Sequence, residues 1–159
     1  MKNTKTNVMR LLDKGKVPYT PLYYDLGDRP FSGEAVCEAL GLDPAGSFKT
    51  LCAQGERKGV AVFVIPIAGE LDLKAAAKAL GDKAVELAAV RELPTLTGYE
   101  RGAVSPVGMK KRYPIFIDAS ALERDIIEIS GGMKGASLSI APRPLADFLG
   151  AQFAPLVKG

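Results

Sequence analysis

Histidine and tryptophan are both absent from this chain of 159 residues, which also contains only two cysteines, Cys37 and Cys52. Without histidine, the chain cannot build a Ser-His-Asp triad, a Cys-His pair or an H-E-x-x-H zinc site. Two cysteines are too few for a disulfide framework or a four-cysteine metal site. Any catalysis must therefore use lysine, tyrosine, carboxylates, hydroxyls, backbone amides or the substrate itself, and we expect neither a metal nor a cofactor.

Long hydrophobic runs are absent as well. No apolar segment approaches the ~18 residues of a membrane span, and the N-terminal residues lack the apolar stretch of a signal peptide. We therefore expect a cytoplasmic protein with no membrane partner. The hydrophobic fraction of 47% and the charged fraction of 25% are ordinary for a globular protein. The length predicts one domain over residues 1–159.

Basic residues only slightly outnumber acidic ones, which gives a net charge of +3. That value does not identify a nucleic-acid-binding protein, although local basic patches can bind nucleic acid. One basic cluster is the run 110–112, and the other, near the N-terminus, comprises Lys2, Lys5, Arg10, Lys14 and Lys16. Solvated surface charge is the simpler interpretation of each cluster.

The order of the predicted helices and strands indicates the fold class. Apolar periodicity and capping residues predict helices over 4–14, 32–40, 73–80 and 144–149. Strands are predicted over 17–25, 48–53, 60–65, 83–88, 114–118, 126–130 and 136–140, the first at a sheet edge and the next two as a hairpin. This mixed order predicts an α+β domain with a mixed, mainly antiparallel sheet.

Lys49 is the first candidate for chemistry. It lies at the beginning of a predicted strand, near Phe48 and Leu51, and lysine is rarely found in apolar surroundings. The alternative is that its stem packs while its ammonium group reaches water, and the residues alone leave both interpretations open. A phosphate-binding loop is excluded, because that motif needs a glycine directly before the lysine and Phe48 stands there.

The two cysteines are better explained by packing than by catalysis. Side chains alternate along a strand, so Cys52 and Lys49 are predicted on opposite faces. Cys37 lies on a predicted helix among apolar residues, where a free thiol packs as a small hydrophobic group.

Two glycine-rich segments have either a ligand-binding or a purely structural explanation. The first, 93–108, is a long predicted loop that contains Gly98, Gly102 and Gly108, and the second is a predicted turn over 131–135. Glycine lets backbone amides approach a ligand closely and form anion-binding concavities. Tight turns explain the same glycines equally well.

A succession of short motifs carries a family resemblance. In order, they are Phe48-Lys49-Thr50-Leu51, Leu73-Lys74-Ala75-Ala76, Ala79-Leu80-Gly81, Thr97-Gly98-Tyr99, Gly102, Ser105-Pro106, Gly108 and Ser130-Gly131-Gly132. No single motif is specific. The ordered set resembles the YbaK/EbsC family of free-standing aminoacyl-tRNA deacylases, relatives of the editing insertion domain of prolyl-tRNA synthetase, and the likeness runs over about residues 4–157. The stretch with Tyr24-Asp25, Phe31 and Glu34-Ala35 is most similar to members that act on cysteinyl-tRNA(Pro).

The resemblance implies a barrel-like mixed sheet flanked by helices, and an activity that removes mischarged cysteine from tRNA(Pro), with tRNA(Cys) as a further substrate. In this branch of the family, the thiol of the substrate attacks the ester carbonyl. The implied partners are the aminoacyl-tRNA acceptor end and prolyl-tRNA synthetase. The resemblance also implies a set of site residues. These are Lys49 as the catalytic residue, with Tyr24, Phe31, Thr50, Gly102, Ala103, Val104, Ser105, Gly131 and Gly132 around the substrate.

Two departures from the family pattern leave the exact amino acid open. Relatives often have Gly-Gly where this chain has Gly102-Ala103, and an alanine forced to positive φ costs roughly 1 kcal/mol or more. If only a small side chain is needed, Ala103 merely narrows the pocket. Some relatives carry an acid at the position of Ser137, which is therefore assigned no chemistry. The alternatives are an alanine or serine editor that uses a bound water, and a non-catalytic module that binds tRNA acceptor ends or a synthetase.

Overall fold

Two β-sheets joined near Ser47 form the frame of the protein, and the computed structural model describes residues 4–159. The strands are β1 Tyr19–Tyr23, β2 Phe48–Gly55, β3 Gly59–Pro66, β4 Val85–Leu87, β5 Ile115–Asp118, β6 Ile127–Met133, β7 Ala136–Ile140 and β8 Gln152–Ala154. The helices are α1 Asn7–Lys14, α2 Gly33–Leu40, α3 Leu73–Leu80, α4 Leu93–Thr97 and α5 Pro142–Leu149, with 3₁₀ turns at Val90–Glu92 and Ala119–Glu123.

The strand pairing confirms the predicted α+β fold. One sheet has the order β1-β7-β6 and is antiparallel throughout, which confirms β1 as an edge strand. The other has the order β4-β2-β3-β5-β8, in which β5 is parallel to both its neighbours. A parallel bridge between Ser47 and Glu128 joins the two sheets, and the N–H of Glu128 donates to the carbonyl of Gly46 at 2.9 Å. The barrel-like sheet of the family thus corresponds here to two joined sheets rather than a closed barrel.

Strand β3 explains where the core lies. It is apolar throughout because both of its faces are covered. Val62 and Val64 belong to a cluster with α1, α5 and the three-stranded sheet. Phe63 and Ile65 belong to a second cluster beneath α3, where the ring of Phe63 stacks on that of Phe116 at a centroid distance of 5.5 Å.

Side-chain caps fix the boundaries of α2 and α3 as the sequence predicts. The carboxylate of Asp72 accepts hydrogen bonds from the N–H groups of Lys74 and Ala75 at the start of α3. Gly81 ends the same helix in the left-handed conformation, with φ 78°. Ser32 caps α2 in the same way, through the N–H of Ala35.

Several predicted elements need correction, and one strand was not predicted. The turn predicted over 131–135 is shorter, because β6 continues through Gly131 and Gly132 and is interrupted there only by a β-bulge. The predicted loop 93–108 contains α4, whose Pro94 and Gly98 are helix-boundary residues rather than loop residues. Helix α5 begins at Pro142, two residues earlier than predicted, and β8 was not predicted.

The basic clusters lie on the surface where the structure describes them. The run 110–112 is exposed. Lys5 pairs with Asp13 at 2.5 Å within the N-terminal cluster, and Lys2 lies outside the described residues. Each helix within residues 4–159 is too short or too polar to span a bilayer.

Asp118 generates a stability prediction, because this buried residue ties the C-terminal segment to β5. Its Oδ1 accepts from the N–H of Leu156 at 2.8 Å, and its Oδ2 accepts from both the N–H and the hydroxyl of Ser120. We expect Asp118→Ala to lower the free energy of unfolding by about 2–3 kcal/mol, since hydrogen bonds to a charged group are lost. Urea titration measures this change. Ser120→Ala, which removes only one of the donors, should lower it by about 1 kcal/mol or less, and equal losses in both variants would contradict the role given to the carboxylate.

Candidate active site

A cavity of about 330 Å³ opens beside the first half of β2. Residues of β2, β6 and β7 line it, together with α2, α4 and the segment after α4. Most of the lining is apolar, and a few polar side chains are grouped there: Lys49, Thr50, Arg101, Glu128, Ser130 and Ser137. A small, mostly apolar cavity with a few converging polar groups is typical of a ligand site.

Lys49 lies at this cavity, as the second residue of β2. It is partly exposed and pairs in register with Ile65 of β3. Its ammonium group has no ion-pair or hydrogen-bond partner among residues 4–159. The lysine is therefore held at a fixed place by the strand, and its charge is left for a ligand.

The side chains of β2 alternate with the predicted phase. Cys52 packs into the cluster with Val62 and Val64, whereas Leu51, which shares the phase of Lys49, packs against the cluster on the other face. Lys49 and Cys52 nevertheless both contribute to the cavity wall. Burial raises the pKa of the Cys52 thiol to about 11, and burial also raises the pKa of Cys37. Both thiols are therefore protonated at neutral pH and poorly nucleophilic.

Four more of the expected substrate residues line the cavity with Lys49 and Thr50: Tyr24, Phe31, Gly102 and Val104. Gly102 adopts φ 92°, and a Cβ there would lie only 3.1 Å from the ring of Phe31. The backbone conformation therefore favours glycine at 102, and a Cβ there would also be in tight contact with this wall residue.

The other four expected residues do not line the cavity. Ala103 and Ser105 are buried, and the Ala103 carbonyl accepts a hydrogen bond from the hydroxyl of Ser130, which does line the cavity. A Cβ on Gly132 would lie 2.5 Å from Val8 of α1, and one on Gly131 would lie 2.9 Å from the carbonyl oxygen of Ala136. These two glycines therefore permit close packing of β6 against α1 and β7.

Ala103 carries no backbone strain. Among the described residues other than glycine, positive φ occurs only at Lys16. The departure from Gly-Gly therefore adds a methyl group in an ordinary conformation, and it does not force alanine into the left-handed region.

Glu128 is a site residue that the sequence did not reveal. It lies on β6, its residue is only 7% exposed, and it lines the same cavity as Lys49. The hydroxyl of Ser137 donates to its Oε2, while Oε1 has no hydrogen-bond partner among the described residues. Burial raises the pKa of this carboxyl, and the hydroxyls of Ser137 and Ser47 oppose part of that rise. An acid between Ile127 and Ile129 is normal for a half-exposed strand, and only the junction of the two sheets buries it.

The two-sheet α+β fold is that of an aminoacyl-tRNA editing domain. The chain belongs to that family, because the family model for the aminoacyl-tRNA editing domain matches residues 31–148. It is 40% identical over 152 residues to an Enterococcus faecalis protein, EbsC, described as a proposed Cys-tRNA(Pro)/Cys-tRNA(Cys) deacylase, and the match covers 96% of this chain and 93% of that one.

Solved structures show the same fold. A proposed trans-editing enzyme for prolyl-tRNA synthetase superposes with a TM-score of 0.81 at 26% identity, covering 98% of this chain and 100% of that one. A protein described only as hypothetical superposes with a TM-score of 0.86 at 26% identity, covering 96% of this chain and 100% of the other. These relatives confirm the family resemblance carried by the sequence motifs.

The thiols generate the prediction for this site. We expect Cys37 and Cys52 to react with a chromogenic disulfide reagent at neutral pH only after the protein is denatured. The pKa of Cys52 is raised to about 11. At neutral pH its thiolate fraction is therefore at least about 100-fold smaller than the thiolate fraction of a free thiol with pKa ~8.5. Absorbance measurements with and without denaturant follow both residues, and a thiol that reacts in the native protein at its denatured rate would show that a nucleophilic cysteine was overlooked.

Proposed function

We propose that the chain is a trans-editing deacylase that removes mischarged cysteine from tRNA(Pro), and also cysteine from tRNA(Cys). The observation that supports this most directly is Lys49, a cation that has no ion-pair partner among the described residues and lies at a small cavity without an activated protein nucleophile. The description of EbsC as a proposed deacylase of these two substrates points to the same activity.

The dimensions of the site suit an aminoacyl ester. A volume of about 330 Å³ accommodates a small amino acid and the ester linkage. A larger depression of about 850 Å³ shares Tyr24, Phe31 and Ala136 with the first cavity and is also lined by Arg29 and Lys134. Aromatic faces and cations are the groups that bind single-stranded nucleotides. We therefore assign the larger depression to the terminal nucleotides of the acceptor end.

The chemistry that fits these residues uses the substrate as its own nucleophile. The cysteinyl sulfur attacks the ester carbonyl, so that a carbon–sulfur bond forms and the bond from the carbonyl carbon to the ribose oxygen breaks. The thiol proton is transferred to that ribose oxygen, and the products are a thiolactone and tRNA with a free terminal hydroxyl. Lys49 stabilises the negative charge that develops on the ester oxygens. The cavity holds the sulfur at attack distance, which lowers the entropic part of the barrier.

This activity has a clear place in translation. A synthetase pocket sized for proline cannot strongly exclude a smaller amino acid, so a separate editor is needed to remove the error. We propose that the whole chain, 1–159, acts as one cytoplasmic editing unit, and that prolyl-tRNA synthetase is a partner which hands over the mischarged acceptor end.

Lys49 provides the first test of the proposal. We expect Lys49→Ala to reduce the rate of cysteinyl-tRNA(Pro) deacylation by about 100- to 1000-fold, because a preorganised electrostatic contact is lost. Lys49→Arg should also fail, since a planar guanidinium does not replace a compact ammonium group. The matched control is Lys58→Ala, which removes the same charge at the far end of the β2–β3 hairpin and should retain activity. A folded Lys49→Ala variant with full activity would overturn the assignment.

The substrate thiol provides the second test, in a panel of tRNA(Pro) esters. Cysteinyl ester should be cleaved rapidly, and S-methylcysteinyl ester slowly, because its sulfur cannot lose a proton. Serinyl ester is nearly isosteric with cysteinyl ester, but its hydroxyl is a much poorer nucleophile than a thiol. We therefore expect its cleavage to be at least about 100-fold slower, because it loses part of the rate gained from intramolecular attack. The double variant Cys37→Ala, Cys52→Ala should give the same order. Equal rates for serinyl and cysteinyl esters would favour a bound water and an editor of another small amino acid, whereas no turnover of any ester would favour a non-catalytic tRNA-binding module.

A further inference from the structure

Glu128 is a buried acid that has no countercharge among residues 4–159. Its residue is 93% buried, and none of the four ion pairs among the described residues includes it. Ser137 hydrogen-bonds to one carboxylate oxygen, and the other, Oε1, is left without a partner. A charge taken out of water in this way is strongly destabilising unless something compensates it.

The groups around Glu128 do not supply that compensation. Ser47 is neutral, and although its hydroxyl lies close enough to favour the ionised carboxyl, it makes no hydrogen bond of normal geometry. Tyr24 and Cys37 are protonated acids, and the charge of Glu128 contributes to raising the pKa of each. The cations at the cavity wall, Lys49 and Arg101, form no ion pair with it. Glu128 also lines the cavity, so a countercharge can come from a cation that binds there.

The aminoacyl ester carries such a cation on the carbon next to its carbonyl. We propose that Glu128 recognises the free α-ammonium group of the aminoacyl ester, an inference that rests on the proposed function. Glu128 on β6 and Lys49 on β2 then hold two ends of the same small group, the ammonium group and the ester oxygens. Two fixed charges of opposite sign define the orientation of the ester, which is what attack by the neighbouring sulfur requires.

The proposal has a consequence for substrate choice. An ester whose amine is acylated has no ammonium group and places an uncharged amide against a buried carboxylate. Such an ester leaves that carboxylate without a countercharge, and unpaired buried groups are a strong basis for rejection. The site would therefore act on free aminoacyl-tRNA and reject tRNA that carries a peptide or a formylated amino acid.

Binding of two stable analogues tests the inference. The first is 3′-deoxy-3′-(cysteinylamino)adenosine, in which an amide replaces the ester, and the second is the same compound without the α-amine. Calorimetry on the wild-type protein should show the first binding about 10- to 100-fold more tightly, the range expected for a charge-assisted contact. In Glu128→Gln the two analogues should bind within about 3-fold of each other. Glu86→Gln makes the same substitution at an exposed position of β4 and should keep the wild-type preference.

The outcomes separate this inference from the proposed function. Equal binding of both analogues to the wild-type protein overturns ammonium recognition, even if deacylation proceeds normally, and that comparison needs no variant to fold. A Glu128→Gln variant that keeps the binding preference but loses turnover also overturns it, because Glu128 would then act on the thiol.

Absence of deacylation with any ester overturns the proposed function, while the two analogues still report whether the cavity prefers an ammonium group. Thermal unfolding serves as the check on the folding of Glu128→Gln.

Discussion

The junction between the two sheets is the contact on which the rest of the structure depends. There the N–H of Glu128 donates to the carbonyl of Gly46, and Ser47 forms a parallel bridge to Glu128. This pairing brings the first residues of β2 beside β6. It therefore places a lysine and a carboxylate, which lie 79 positions apart in the sequence (128 − 49), at one cavity. Without the junction, Lys49 would be an ordinary surface lysine and Glu128 an ordinary solvated acid.

The local chemistry of the chain accounts for most of the predicted elements. Asp72 and Gly81 mark the ends of α3 because a cap and a left-handed glycine are local signals. The run from Val60 to Ile65 predicts a doubly covered strand, since no polar residue interrupts it. The elements that the sequence did not indicate depend on distant partners. Strand β8 has three residues and is held by parallel pairing to β5, so its own sequence carries almost no signal.

The candidate site follows the same division between local and distant information. Lys49 stood out because its own neighbours are apolar, and it lies at the cavity. Gly131 and Gly132 formed an equally conspicuous pattern, but their small size is used by Val8 and by the backbone of Ala136, which only the packing shows. Glu128 had no conspicuous pattern, because an acid between two isoleucines is normal for a half-exposed strand. Its importance comes from burial, a property of the assembled sheets.

The segment after α5 has a practical consequence for how this kind of domain is delimited. The family match ends at residue 148, yet Leu156 is fully buried, and the N–H of Asp72 donates a hydrogen bond to the Leu156 carbonyl at 2.8 Å. The match also begins after α1, whose Val8 and Leu12 are buried in the core. A fragment cut to residues 31–148 would therefore lose the core residues that α1 and the segment after α5 contribute. The part of the chain that matches the family model is shorter than the part that builds the core, and expression boundaries should follow the core.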